Sequence, residues 1–430
     1  MALDRTQQPP VTPFGPLSIP MPRLERLRNN ALLYIIDKGD QEVTRIDILF
    51  EGGRYAARKP VVADLTGPML RRGIPSMDAD AIAEHLDYHG AWMQTGTTQH
   101  YSAISLFSLN RNLDKILPVV EQMIVAPTFP EEAFEVLRGQ RMRQLSINRQ
   151  KVSFLAAEAF NGLLFGEEHP YATITTEQDL QELTTHDLRE YHNRYYLNSH
   201  VSILLSGHIT PEVISQVDTH LGNIPVADGN APCIVTPITS HPIKMRIIDK
   251  PDALQSGIRM GHLVTGAQHP DYPHITMLNL ILGGYFGSRL MTNIREEKGY
   301  TYGISSHIIS MRNGAYLTIA TEAGTQYTQL LIDEVRNEML RLCNEPVSID
   351  ELETARNYLQ GLRARALDSA FSMCDYFVSS IIAGNPIDYF NKEDAVIRTT
   401  TPDELMRIAR TYFHPDMLYT AIAGDKKAFT

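Results

Sequence analysis

Fifteen histidines make metal chemistry the first question to ask of this sequence. A helical zinc site wants two imidazoles four residues apart, which share a face, and a glutamate beside them to activate water. Neither H-x-x-E-H nor H-E-x-x-H occurs. His85 and His89 have the helical spacing, but Glu84 precedes the pair instead of standing between them. The segment EHLDYHG therefore reads as an amphipathic helix surface. His186 and His192 lie six apart, which a helix divides between faces. Nucleophilic catalysis fares no better: there is no G-x-S-x-G elbow, and Cys233, Cys343 and Cys374 are scattered with no C-x-x-C spacing. Three reduced, mostly buried thiols in a reducing compartment is the reading that spacing supports. The glycine-rich turn GGYFGS (283–288) lacks the Lys-Ser/Thr of a phosphate loop and the preceding strand of a dinucleotide site.

That turn belongs to the most informative stretch, LNLILGGYFGSRLMTNIREEKGYTYGISSHI (278–308). Gly283, Gly284 and Gly287 allow a tight turn between helices, and Ser288 or a neighbour can cap a helix running through Arg295. Gly299 suits its C-terminal end, with Lys298 in the last turn, and an aromatic-rich strand follows. The G-G-x-x-x-S-R-L run, the R-E-x-K-G run and that strand, in this order, resemble the second-half signature of the insulinase-type (pitrilysin-like, processing-peptidase-like) zinc metallopeptidases. The segment FGEEHPYA (165–172) and a two-half layout also fit, so the resemblance covers nearly the whole chain. In that family an arginine and a tyrosine seven residues apart grip substrate near the scissile bond. The resemblance assigns these roles to Arg295 and Tyr302, with Tyr300, two residues away on the same strand face, as the rival tyrosine. A permanently charged guanidinium and a neutral phenol can hold a peptide carbonyl and stabilise a developing oxyanion, a donor worth about 3 kcal/mol.

Active members of the family carry H-x-x-E-H in the first half and a further glutamate downstream. Here the segment VVADLTGPMLRRG (61–73) stands in that place. Its flanks put Asp64 and Pro68 at the histidines and Gly67 at the glutamate, while Gln144, in RGQRMRQLSI (138–147), falls at the third ligand. Proline cannot ligate a metal, glycine cannot act as a base, and Arg141 and Arg143 add positive charge. No catalytic residue is intact and this chain is expected to bind no metal.

The elements that position these residues come in two echoing sets. TTHDLREYHNRYYLNSHVSILLSGHI (184–209) matches TTPDELMRIARTYFHPDMLYTAIAGD (400–425), pairing Thr185 with Thr401, Asp187 with Asp403 and Tyr196 with Tyr412, 216 residues apart. Each reads as an N-capped amphipathic helix and then an apolar strand ending at Gly207 or Gly424. A helix, a proline-containing turn and a second helix recur at 114–145 and 330–367, and the strands 43–53 and 253–263 open each half. The expected fold is α+β: two homologous halves of roughly 200 residues, each a mostly antiparallel sheet with helices on one face, together enclosing a chamber. The halves are placed at 1–225 and 243–430, with the proline- and turn-rich 226–242 as linker.

A net charge of −11 argues against nucleic acid or an anionic membrane as partner. Pro9, Pro10, Pro13 and Pro16 break up the N-terminus, and no run of signal-peptide or membrane-span length appears, so the chain reads as cytoplasmic. One signature kept and the other erased points to a non-catalytic, substrate-binding subunit of a heteromeric zinc peptidase. Zinc and hydrolysis would then come from a homologous partner subunit, acting on peptides or unfolded segments. The alternatives are a peptide-binding or scaffolding homodimer without proteolysis, and an active metallopeptidase with a displaced zinc site built from His85 and His89.

Overall fold

The computed structural model describes residue 6 and residues 15–227, 236–239, 241–312 and 314–428. Cys233, Pro9, Pro10, Pro13 and part of the expected linker fall outside the described residues. In the first half the strands are β1 (Arg23–Arg26), β2 (Leu32–Asp37), β3 (Val43–Glu51), a small ladder of β4 (Gly73–Ile74) with β5 (Met77–Asp78), β6 (Trp92–Thr97), β7 (Tyr101–Leu109) and β8 (Val201–Gly207). Its helices are α1 (Val62–Met69), α2 (Ala79–Tyr88), α3 (Leu113–Val125), α4 (Glu131–Arg149), α5 (Val152–Phe165), α6 (Glu177–Glu182), α7 (Thr185–Tyr195) and α8 (Pro211–Leu221). The second half adds β9 (Met245–Asp249), β10 (Gln255–Val264), β11 (Thr301–Met311), β12 (Gly314–Gly324) and β13 (Tyr419–Gly424). Its helices are α9 (Tyr272–Asn279), α10 (Thr328–Asn344), α11 (Ile349–Arg365), α12 (Ala370–Ala383), α13 (Tyr389–Thr399) and α14 (Pro402–Tyr412).

Both sheets have one topology. The first runs β1-β2-β8-β3-β7-β6 and the second β9-β13-β10-β12-β11. In each, a single parallel pair (β2 with β8, β9 with β13) borders an antiparallel remainder. The helix cap that precedes the last strand sets the offset of the repeat. Thr184 caps α7 in a capping box with Asp187, and Thr401 caps α14 in one with Glu404. The equivalent threonine is thus Thr184, not Thr185, and the repeat is 217 residues (401 minus 184) at this point. Thr185 is instead the first helical residue, its hydroxyl donating to Glu131 at 2.8 Å. The fully buried aromatic after each helix is then Tyr196 and Phe413, not Tyr412.

Strand alternation gives each sheet two apolar faces. Ile35, Ile48, Phe50, Ile203 and Leu205 point into the first half's own helices, whereas Ile36, Leu49 and Leu204 point the other way. That second face is covered by α12, from the other half, through Met373, Cys374 and Phe377. The converse holds for the second sheet. Ile422 and Val264 face its own helices, while Ala421 and Leu263 meet Phe160, Leu163 and Leu164 of α5. Each half therefore lends one fourteen-residue apolar helix to its sister. The contact is close: a Cβ at Gly257 on β10 would lie 2.5 Å from the Val152 carbonyl at the start of α5. Polar bonds cross the same junctions. Arg45 pairs with Asp47 at 2.7 Å and with Asp375 of α12 at 2.7 Å, and Arg312 pairs with Glu51 at 2.9 Å. Cys343 and Cys374 are both free and buried. Among the described residues, no helix is long and apolar enough to cross a membrane.

Two predictions follow from this packing. Gly257→Val should lower stability by about 1–3 kcal/mol by wedging α5 off β10. Gly361→Ala, in the open middle of α11 with nothing within 4 Å of the new methyl, should gain up to about 1 kcal/mol. Urea unfolding of both variants checks the contrast. Burial pushes the His262 imidazole, whose Nε2 meets the Tyr412 carbonyl at 2.5 Å, and that of His100 down to about 4. Between that value and the ordinary 6.5 the unfolded chain binds more protons than the folded one, so stability falls on acidification. The melting temperature should drop as pH falls from 6.5 towards 4, less steeply in His262→Gln; an unchanged slope in that variant contradicts the assignment.

Candidate functional site

The second-half candidates sit on an unusual backbone. After α9 the chain widens into π-type turns at Leu280–Gly284 and Met291–Glu297. The Lys298 amide bonds the Asn293 carbonyl, five residues back, at 3.1 Å. Wide turns of this kind leave one residue per turn extruded, and they cluster at functional positions. Gly299 (φ 64°) ends the helix, and the Tyr300 amide closes back onto the Ile294 carbonyl at 3.0 Å. Ser288 does not cap it: its buried hydroxyl has no hydrogen-bond partner among the described residues, and the helix starts through backbone bonds such as Thr292 N–H to the Ser288 carbonyl. Asn293 pins the turn to α10, its amide donating to Glu334 at 3.2 Å and to the buried Glu338 at 2.7 Å.

Arg295 projects from this turn with its guanidinium 4.8 Å from the centre of the Phe286 ring and 3.8 Å from Glu296. A guanidinium stacked on an exposed ring keeps most of its N–H donors available. Tyr302 stands on the edge strand β11 and is 93% exposed. Tyr300 differs. It precedes the strand, stacks on Tyr327 (4.9 Å, 16°) and packs against the second core. A register shift between Thr301 and Ile304 interrupts the two-residue alternation that would give both tyrosines one environment.

In the first half, α1 carries Asp64, Gly67 and Pro68. Asp64 is held by Arg54 in a two-pronged bond (2.7–3.0 Å), and Arg141 approaches it to 3.7 Å. Two guanidiniums thus supply the positive charge at the position the resemblance gives to a metal. Gly67 touches the floor of the site: a Cβ there would lie 3.3 Å from Thr95 Cβ and from the Tyr196 hydroxyl. Pro68 contributes no donor. Gln144 donates to Asn148 at 3.0 Å. Asp64, Gln144 and Arg141 line a cavity of about 560 Å³ between α1, α4 and α5. Arg295 and Tyr302 are not among its lining residues.

This donor set does not fit zinc. Its one carboxylate is engaged by arginines, and the other positions lack a ligating atom or offer an amide. The histidine pair is no substitute. His85 Nε2 meets the Lys115 carbonyl at 3.0 Å, and its ring packs edge-on against His89 at 4.7 Å. Among the described residues no group of three or more His, Cys, Asp or Glu is arranged to hold a metal. Sequence reasoning missed Arg54 and Gln99 in this cavity. Both lie on loops, ten residues before Asp64 and in the β6–β7 turn, where no periodic signal marks them.

Comparison with known proteins agrees with this geometry. Residues 182–359 match the family model described as the peptidase M16 inactive domain. A Bacillus subtilis protein named "Uncharacterized zinc protease YmxG" is 24% identical over 71% of this chain and 74% of its own length. A Helicobacter pylori protein named "Non-peptidase homolog YmxG" is 21% identical over 89% of each. The crystal structure of a peptidase M16 inactive domain from Pseudomonas fluorescens superposes with a TM-score of 0.84 at 21% identity, covering 94% of this chain and 98% of that one. A carboxylate neutralised by arginines, and a glycine and a proline where ligands and base would stand, accompany this match: residues 182–359 are similar to the peptidase M16 inactive domain, and the whole chain shares the fold of such a domain.

Proposed function

We propose that this chain is the substrate-binding subunit of a heteromeric zinc peptidase, active on peptides or unfolded segments in the cytoplasm. In this reading it closes a peptide chamber with a homologous subunit that carries H-x-x-E-H, and hydrolysis takes place there. The observation that carries the reading is an asymmetry. Tyr302 stands exposed and the half-buried Arg295 stacks on Phe286 with donors to spare, while Asp64 in the first half is held by Arg54 with Arg141 nearby. Arg295 would hold a substrate carbonyl, and Tyr302 would add a neutral donor to the same chain or its oxyanion. The acidic surface and the buried cysteines fit a soluble role in a reducing compartment.

Co-purification with an H-x-x-E-H homologue encoded beside it, followed by peptide cleavage assays, tests the proposal. The pair should cleave at least about tenfold faster than the homologue alone. Arg295→Ala should reduce the pair's kcat/KM by about two orders of magnitude, the loss expected of one transition-state donor. Equal rates for homologue and pair, or an Arg295→Ala pair as active as wild type, overturn it. The isolated chain should hold far less than one zinc per molecule by metal analysis.

Restoring the ligands should not restore the chemistry. The combination of Asp64→His, Gly67→Glu, Pro68→His and Gln144→Glu crowds position 67 against Thr95 and Tyr196, and it leaves Arg54 and Arg141 beside the new ligands. We expect no chelator-sensitive hydrolysis from that variant alone; its appearance would show that the locked geometry is not what blocks the metal.

A further inference from the structure

The first-half cavity is more than a lost site. Its walls are rich in side-chain amides: Gln99, Gln144, Asn148 and Asn161. Amides offer a donor and an acceptor side by side, which is what a peptide backbone needs. One of them is short of a partner. The Oε1 of Gln99 is buried and accepts no hydrogen bond among the described residues, and a buried acceptor without a donor is unfavourable until something supplies one. Gln99 also lines, with Asn161 and Tyr171, a second hollow of about 170 Å³ that lies between the halves.

The charge at the cavity departs from that of the chain. The molecule carries a net −11, yet Arg54, Arg58, Lys59 and Arg141 line this space against Asp64, Glu158 and Glu168. Arg54 is spent on Asp64, and Lys59 pairs with Asp187 at 2.7 Å. Arg141 reaches Asp64 only at 3.7 Å, and Arg58 makes no ion pair or hydrogen bond among the described residues. Two guanidiniums with free donors therefore line the same cavity as an amide oxygen that lacks a partner.

We infer that this cavity binds the C-terminal end of a peptide, its carboxylate held by Arg58 and Arg141 and its last backbone N–H groups accepted by Gln99 and its neighbouring amides. The inference rests on the peptide-binding part of the proposed function and adds to it a site and a chemical class. A volume of about 560 Å³ lies in the range of small-ligand pockets, enough for a chain end of a few residues. A guanidinium recognises a carboxylate through paired N–H donors, whereas a neutral terminal amide offers it only a carbonyl. The site should thus discriminate sharply between free and blocked C-termini. It lies apart from the Arg295 and Tyr302 side chains, so a peptide anchored here by its end leaves the body of the chain to other contacts.

The test uses the full chain and an N-terminally labelled pool of random hexapeptides in two forms, free acid and C-terminal amide, with binding read by fluorescence anisotropy. The free acids should bind about tenfold or more tighter, as expected for a charge-assisted hydrogen bond. Arg58→Ala and Arg141→Ala, both exposed side chains whose loss leaves the core intact, should each erode that difference. Gln99→Leu should weaken both forms alike. Arg295→Ala should leave the acid–amide ratio unchanged. Equal binding of acid and amide overturns this site while leaving peptide binding standing; binding of neither form overturns both. Displacement of the free acids by inorganic phosphate at equal concentration would reduce the site to a simple anion hole and also overturn it.

Discussion

A β-sheet with apolar residues on both faces cannot stay folded unless both faces are covered, and in this molecule neither half has the helices to do it alone. The answer is reciprocal: α5 crosses to the second sheet and α12 to the first. Area burial makes this exchange the dominant link between the halves, because Phe160, Leu163, Leu164, Phe377 and Cys374 are all withdrawn from water by it. It also specifies a register. The Arg45–Asp47 pair of β3 puts charge inside the junction, where Asp375 and the Cys374 thiol of α12 meet it in one alignment of the helix. The first-half cavity inherits this rigidity. Phe154, Ala157, Glu158 and Asn161 of α5 form one of its walls, so the helix that seals the second sheet also shapes the site in the first.

The electrostatics of that site show how a metal position can be closed. A divalent ion is a compact positive charge that holds carboxylate and imidazole ligands around it. Here the positive charge arrives on side chains, with Arg54 gripping Asp64 from the loop after β3 and Arg141 approaching from α4. Arginine has two further consequences that an ion lacks. Its bond to a carboxylate is directional and two-pronged, which fixes the loop on α1. It also cannot lend a hydroxide, so it offers no substitute for a metal-bound water. Gly67, whose missing Cβ would lie 3.3 Å from Thr95 and Tyr196, packs tightly enough that any larger side chain there asks its neighbours to give by a few tenths of an ångström.

Much of the fold was legible because its signals were local and repeated. The capped helices α7 and α14, the strands ending at Gly207 and Gly424, and the doubled helix pairs each carry a periodic pattern twice over. The misreading by one residue at Thr185 came from the identical neighbour Thr184: a threonine pair leaves the cap ambiguous in sequence, and only the reciprocal bond to Asp187 decides it. The exchange of α5 and α12 was not legible, because an apolar helix states that it will be buried and not against which sheet. Nor were the separate environments of Tyr300 and Tyr302, since a strand pattern presumes unbroken pairing and a bulge leaves no mark in composition. Arg54 and Gln99 sit in loops, where contact is set by tertiary closure and not by spacing.

Set side by side, the halves diverge where chemistry would be done and agree where support is needed. Around the exchanged helices the repeat is nearly rigid: α5 and α12 have equal lengths and are offset by 218 residues at both ends, and α7 with α14 and β8 with β13 follow within a residue of that value. Between the first strand and the hairpin, α1 continues into a single 3-10 turn, the β4–β5 ladder and α2, whereas α9 continues into the wide turns that carry Arg295. The constraint on the repeated part is steric, because moving either exchanged helix would open the opposite sheet. The helices before it, α1 and α2 in the first half and α9 in the second, pack on their own half's core, so they could change in length and backbone class without disturbing the partner sheet. A scaffold built this way can lose one site and elaborate the other independently, which is the condition a division of labour between halves, or between paired chains, requires.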